Sequence, residues 1–124
     1  MRRVVAILVL FAALPAVAAW EEMVSRGGIA LFLDPQTVRP GNGNTRSVVA
    51  LVAYSEPLAN GVRSVRGTME YDCGDKRLRT LTFTQYTEPL ARGRVVSDSQ
   101  SPTEWSPVVP ETFAADALNF VCKR

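Results

Sequence analysis

Histidine is absent from the 124-residue sequence. That removes the commonest general base, together with the Ser–His and Cys–His nucleophile pairs. Lysine occurs only at Lys76 and Lys123. One sits in a turn and the other near the chain end, and neither is placed for the desolvation that activates an amine. Cysteine occurs only at Cys73 and Cys122, too few without histidine to complete a structural zinc site. There is neither a phosphate-cradling glycine-rich loop nor a calcium loop. No metal or cofactor is expected, and the chain does not read as an enzyme. The one long apolar run, Val4 to Leu14, falls short of the roughly 20 residues that a membrane span needs, and no second run follows it.

What is present begins with an export leader. Met1-Arg2-Arg3 is a basic head, Val4 to Leu14 the apolar stretch, and Pro15 its break. Ala16-Val17-Ala18-Ala19 supplies the small residues that signal peptidase accepts. Residues 1–19 read as a cleaved signal peptide and 20–124 as one mature domain with one core. No cysteine follows the cleavage site to take a lipid anchor. The expected location is therefore the periplasm, with the cell surface or the medium as alternatives.

Loss of the leader changes the charge reading. The whole chain has 14 Lys plus Arg, 12 Asp plus Glu and a net charge of +2. Arg2 and Arg3 account for that excess, so the mature part is close to neutral and carries no overall footprint for a nucleic acid. In an oxidising compartment the lone pair Cys73 and Cys122 is most simply one disulfide. The rival readings are two free thiols or part of a metal site.

Turn signals cut the mature part into short pieces. Trp20–Arg26 reads as a first strand ending at Gly27-Gly28, and Ile29–Leu33 as a second. Asp34-Pro35-Gln36-Thr37 follows as a turn or a single helical turn capped by Asp34. Pro40-Gly41-Asn42-Gly43-Asn44 is hairpin chemistry. Thr45–Tyr54 has apolar residues on both parities, as a central strand covered on both faces would. Val62–Cys73 alternates, with Val65, Gly67, Met69, Tyr71 and Cys73 on one face and Ser64, Arg66, Thr68, Glu70 and Asp72 on the other. Lys76–Thr87 is its hairpin partner, and Arg94–Ser97 one more short strand. Ser99–Pro107 is an extended connector. Pro110-Glu111 starts a helix whose stripe is Phe113, Ala114, Ala117, Leu118, Val121 and Cys122. The expected fold is α+β: an antiparallel sheet of five to six strands with one C-terminal helix on a face, stapled by the Cys73–Cys122 disulfide.

Three features are candidates for function. Glu70 and Asp72 share a strand face about 7 Å apart, as a glycosidase pair or as a solvated face beside Arg66 and cross-strand Arg77 or Arg79. Arg63, Arg66, Lys76, Arg77 and Arg79 crowd the hairpin around Cys73. They form either a cationic patch for an acidic partner or a face that Glu70, Asp72 and Asp75 neutralise in place. Trp105, set between Pro102 and Pro107, is either an exposed anchor for a partner or a side chain folded back over the core edge. Trp20 reads as a core residue of the first strand.

The order of these features resembles the surface-adhesin protein E family of exported proteobacterial domains. The likeness rests on Trp20 after the leader, Leu33-Asp34-Pro35, Ser64–Arg66 leading to Tyr71-Asp72-Cys73, Ser97-Asp98-Ser99 to Trp105, and a terminal helix ending in Val121-Cys122. It implies an antiparallel sheet with a C-terminal helix and a disulfide. It further implies homodimers and attachment to host matrix or serum proteins such as vitronectin and laminin. Adhesion in that family is associated with the basic segment around the first cysteine, here Arg63, Arg66, Lys76, Arg77 and Arg79. The resulting expectation is a non-enzymatic exported module that contacts a protein partner through the Cys73 hairpin. The alternative is a periplasmic envelope-associated protein or an inhibitor with an endogenous partner.

Overall fold

In the computed structural model, residues 3–9 and 19–124 are described. Most of the expected leader, Ala16-Val17-Ala18 included, lies outside them. Residues 3–9 lie outside any helix or strand, with Val4, Val5, Ile7, Leu8 and Val9 exposed. No described helix is long and apolar enough to cross a membrane.

The domain is an antiparallel meander. Strands β1 (Glu21–Arg26), β2 (Ile29–Pro40), β3 (Thr45–Tyr54), β4 (Ser64–Asp72), β5 (Arg77–Glu88) and β6 (Arg92–Ser99) pair in chain order. A two-residue β7 (Ser106–Pro107) pairs with the start of β5 at Arg77 and Leu78. The sheet therefore has six principal strands and a seventh, where five to six were expected. The addition comes from the connector. Thr103 donates its N–H to the Thr80 carbonyl and accepts from the Thr80 N–H on Oγ1, so the chain hugs the β5 edge beyond the end of β6.

Gly27 and Gly28 both take positive φ, as the tight β1–β2 turn demands. The Asp34–Thr37 segment is neither a turn nor a helical turn. It is an irregularity within β2, where Asp34 pairs with Val49 and Arg39 with Ser47. Asp34 Oδ1 accepts from the Gln36 N–H, and Thr37 Oγ1 accepts from the Val49 N–H, so side chains satisfy the groups that the broken ladder leaves free. Both border strands also carry extra residues. Met23 bulges from β1, Val96 bulges from β6, and a second shift in β6 lies between Arg92 and Val95.

Helix α1 (Phe113–Cys122) starts later than its sequence pattern indicates. Glu111 has a left-handed φ of 64°, and Thr112 is the N-cap, its Oγ1 accepting from the Ala115 N–H. Arg26 clamps this entry by donating to the Glu111 carbonyl and lying over the Phe113 ring. The helix buries Ala117, Leu118 and Val121 against Leu31, Leu33, Val48, Ala50 and Tyr71. Cys122 closes the expected disulfide with Cys73, their Cα atoms 5.7 Å apart.

The helix covers only part of its face. Beyond it an apolar cleft of about 270 Å³ opens over Ala50, Val52, Val65, Met69 and Phe83. On the other face Leu51 is fully buried, but Val49 and Ala53 are only half-covered. The expected two-sided cover of β3 is thus incomplete.

Candidate functional site

The β4–β5 hairpin sets the site. The alternation of β4 places Glu70 and Asp72 on the face away from the helix, and the register sets Arg79 opposite Glu70 and Arg77 opposite Asp72. Directly opposed cross-strand residues of unlike charge pair readily. The Arg77 guanidinium donates to Asp72 Oδ2 at 2.8 Å and stands 3.6 Å from Asp75. The Arg79 guanidinium is 2.8 Å from Glu70 Oε1, and its Nε donates to the same oxygen at 2.9 Å.

These contacts shift the titration of the pair at Asp72. The hydrogen bond from Arg77 holds the Asp72 carboxyl below the usual carboxylate range, aided by the N–H groups of Asp75 and Gly74 in the turn. The same partner raises Arg77. On the opposite face, burial pushes the Tyr71 phenol up.

Trp105 completes the cluster. The short β7 pairing delivers it to this face, where the Arg79 guanidinium lies 4.7 Å and the Arg77 guanidinium 5.0 Å from its ring centre. The indole is half-buried. It therefore neither stands free nor covers the edge of the apolar core; it rests on two arginines whose charge is already answered. Arg77 Nε is buried there without a protein partner.

The other basic residues are elsewhere. Arg63 lies before β4, where it donates to the Ser55 carbonyl. Lys76, with a left-handed φ of 52°, lines a small cleft with Val108, Pro110 and Leu118 on the helix side. Arg66 is on the face of Arg77 and Arg79 but lies toward Trp20, whose ring centre is 5.9 Å from its guanidinium. Trp20 thus precedes β1 and stacks on an arginine, outside the core cluster. The structure brings Arg77, Arg79 and Trp105 together and leaves Arg63, Arg66 and Lys76 apart, so among the described residues these side chains form no continuous cationic patch. The carboxylates Glu70 and Asp72, each tied to a guanidinium, do not form a free acid–base pair. Among the described residues no group of three or more Cys, Asp or Glu side chains could hold a metal ion.

The fold and the ridge formed by Trp105, Arg77 and Arg79 together define a disulfide-tethered α+β meander domain that displays a polar aromatic surface beside shallow clefts. The chain belongs to the surface-adhesin protein E family, whose model matches residues 20–123. Solved structures of Haemophilus influenzae protein E share its fold. One aligns with a TM-score of 0.65 at 18% identity over 91% of each chain. Its selenomethionine form gives 0.66 at 18% over 92% of this chain and 93% of that one. Protein E from the non-typeable organism gives 0.63 at 18% over 93% and 83%. No curated protein matches the sequence.

Proposed function

We propose that the chain is an exported, non-enzymatic binding module that holds a protein partner on the ridge of Trp105, Arg77 and Arg79. One observation carries this reading: the indole is held by two guanidiniums that are themselves held by carboxylates. Trp and Arg dominate interface hot spots, and an anchor fixed before contact loses little entropy on binding. Family membership supports an adhesive role, with a host matrix glycoprotein as the partner.

The neutralised ridge changes the expected salt response. A bare cationic patch would lose affinity steeply with ionic strength. Contact centred on Trp105 is nearly insensitive to it. Binding to immobilised vitronectin and laminin should fall at least about tenfold with Trp105→Ala and change little between low and physiological salt. Steep salt loss with an unchanged Trp105→Ala variant refutes the ridge. Recovery of the protein only by osmotic shock, never on intact cells, refutes the adhesive role and leaves an endogenous envelope partner.

A further inference from the structure

The open face of the sheet holds a second feature, beside the Glu70–Arg79 pair. It is a shallow cleft of about 210 Å³ lined by Val49, Arg66, Thr68, Thr82, Thr84 and Tyr86. Register accounts for its content: Thr68 stands opposite Thr82 and Arg66 opposite Thr84. Three hydroxyls and a guanidinium thus occupy two adjacent rows, with the Tyr86 ring at one side.

The Arg66 guanidinium lies over the Trp20 ring, but among the described residues no side chain of this cleft has a polar protein partner. Arg77 and Arg79 are paired to carboxylates, Thr80 and Thr87 are hydrogen-bonded, and Gln85 is bound to Ser97. Among the described residues, Arg66, Thr68, Thr82, Thr84 and Tyr86 make no side-chain hydrogen bond or ion pair. Arg66 is exposed and Thr68, Thr82, Thr84 and Tyr86 are half-buried, so their donors and acceptors are open to a ligand rich in hydroxyls. Its charge is defined as well. Arg66 has no acidic partner, while Glu70 lies on one side and Asp98, opposite Thr84 on β6, lies about 10 Å away across two strand spacings. Glu70 is already paired to Arg79, which leaves the single Arg66 guanidinium to take one negative charge, too little for a densely charged polymer. The cleft is small and shallow, which suits one terminal sugar better than a folded partner's surface.

We propose that this cleft binds the terminal carboxylated sugar of a glycan, of the sialic acid kind. Arg66 takes the carboxylate, and Thr68, Thr82 and Thr84 take ring and side-chain hydroxyls. Neither Trp105, Arg77 nor Arg79 lines the cleft, so this assignment and the protein-contact ridge stand or fall separately.

The test is an NMR titration of the secreted protein with 3′-sialyllactose, with lactose and an unsulfated uronate tetrasaccharide as comparisons. Shifts should concentrate on the amides of residues 66–68 and 82–86, with affinity in the millimolar range of about −4 kcal/mol. Lactose, which lacks the carboxylate, should bind about tenfold more weakly. Arg66→Gln, and separately Thr82→Val with Thr84→Val, should each weaken sialyllactose about tenfold without lowering Tm, and Trp105→Ala should leave it unchanged. Shifts absent from these residues, lactose binding equally well, or an Arg66→Gln variant that binds as the native protein would overturn the proposal. Preference for the uronate tetrasaccharide would overturn the terminal-sugar assignment.

Discussion

Replacing both Cys73 and Cys122 with alanine should lower stability by about 4 kcal/mol. The pair is separated by 49 residues, and closing a loop of that length removes roughly 14 cal/mol/K of chain entropy from the unfolded state. A domain of about 105 residues has an unfolding entropy near 0.2 kcal/mol/K at its midpoint, so the loss corresponds to a fall in Tm of about 18 °C. The helix keeps its buried contacts through Ala117, Leu118 and Val121, and the variant should therefore remain folded at 25 °C. Circular dichroism melts of the native and double-alanine proteins measure the shift. Urea titrations add a second signature: because the effect acts through the unfolded chain, the variant's m-value should rise as that chain expands. A fall of less than about 1 kcal/mol with an unchanged m-value would refute the loop-entropy argument. It would assign the attachment of the helix to packing alone.

Ser64 is fully buried and donates to the Glu88 carbonyl while accepting from the Ala91 N–H. Ser64→Ala should therefore cost about 1–3 kcal/mol in a urea titration, since both backbone groups lose their partner. Leu90 and Ala91 turn the β5–β6 hairpin with φ of 60° and 58°, a conformation that costs an L-residue about 1–2 kcal/mol. Ala91→Gly should accordingly raise Tm, a gain of roughly 1 kcal/mol. The pH dependence has two limbs. Asp72 has a lowered folded-state pKa, so its contribution is present above 3.8 and is lost as pH falls through the folded value; Arg77→Gln should flatten that acid limb in Tm measured against pH. Tyr71 has a raised pKa, so above pH 10.0 the unfolded phenol ionises first and stability falls; Tyr71→Phe should remove that alkaline limb.

The parts of the fold legible in the sequence are those written as periodicity. The alternation of β4, the Asn-Gly hairpin and the placing of Cys122 on an apolar helical stripe each repeat a local rule, and the structure follows them. What eluded the sequence depended on distant partners. Asp34-Pro35 has turn chemistry, yet the paired strand β3 keeps it in the sheet, with Thr37 bridging to Val49. Pro110-Glu111 looks like a helix start, but Thr112 is the cap, a residue signalled by its hydroxyl and passed over for the proline. The basic cluster was legible by residue type and not by arrangement. Strand alternation placed Arg77 and Arg79 on one face, but whether Glu70 and Asp72 met them depended on a register that includes a bulge between Thr68 and Met69. Trp105 reached them through β7, a pairing too short to leave a pattern.

The interrupted borders of the sheet bear on how such a domain survives at high local concentration. Val95 and Val96 on β6 are 57% and 39% exposed, apolar enough on an outer strand to recruit a neighbouring chain. The extra residues at Met23, Val96 and between Arg92 and Val95 break the even spacing that an incoming strand would have to match, and Arg92 and Arg94 add charge beside one of the breaks. Each border is thereby a poor template for fibre growth, and a lattice of stacked copies has no straight seam along which to start.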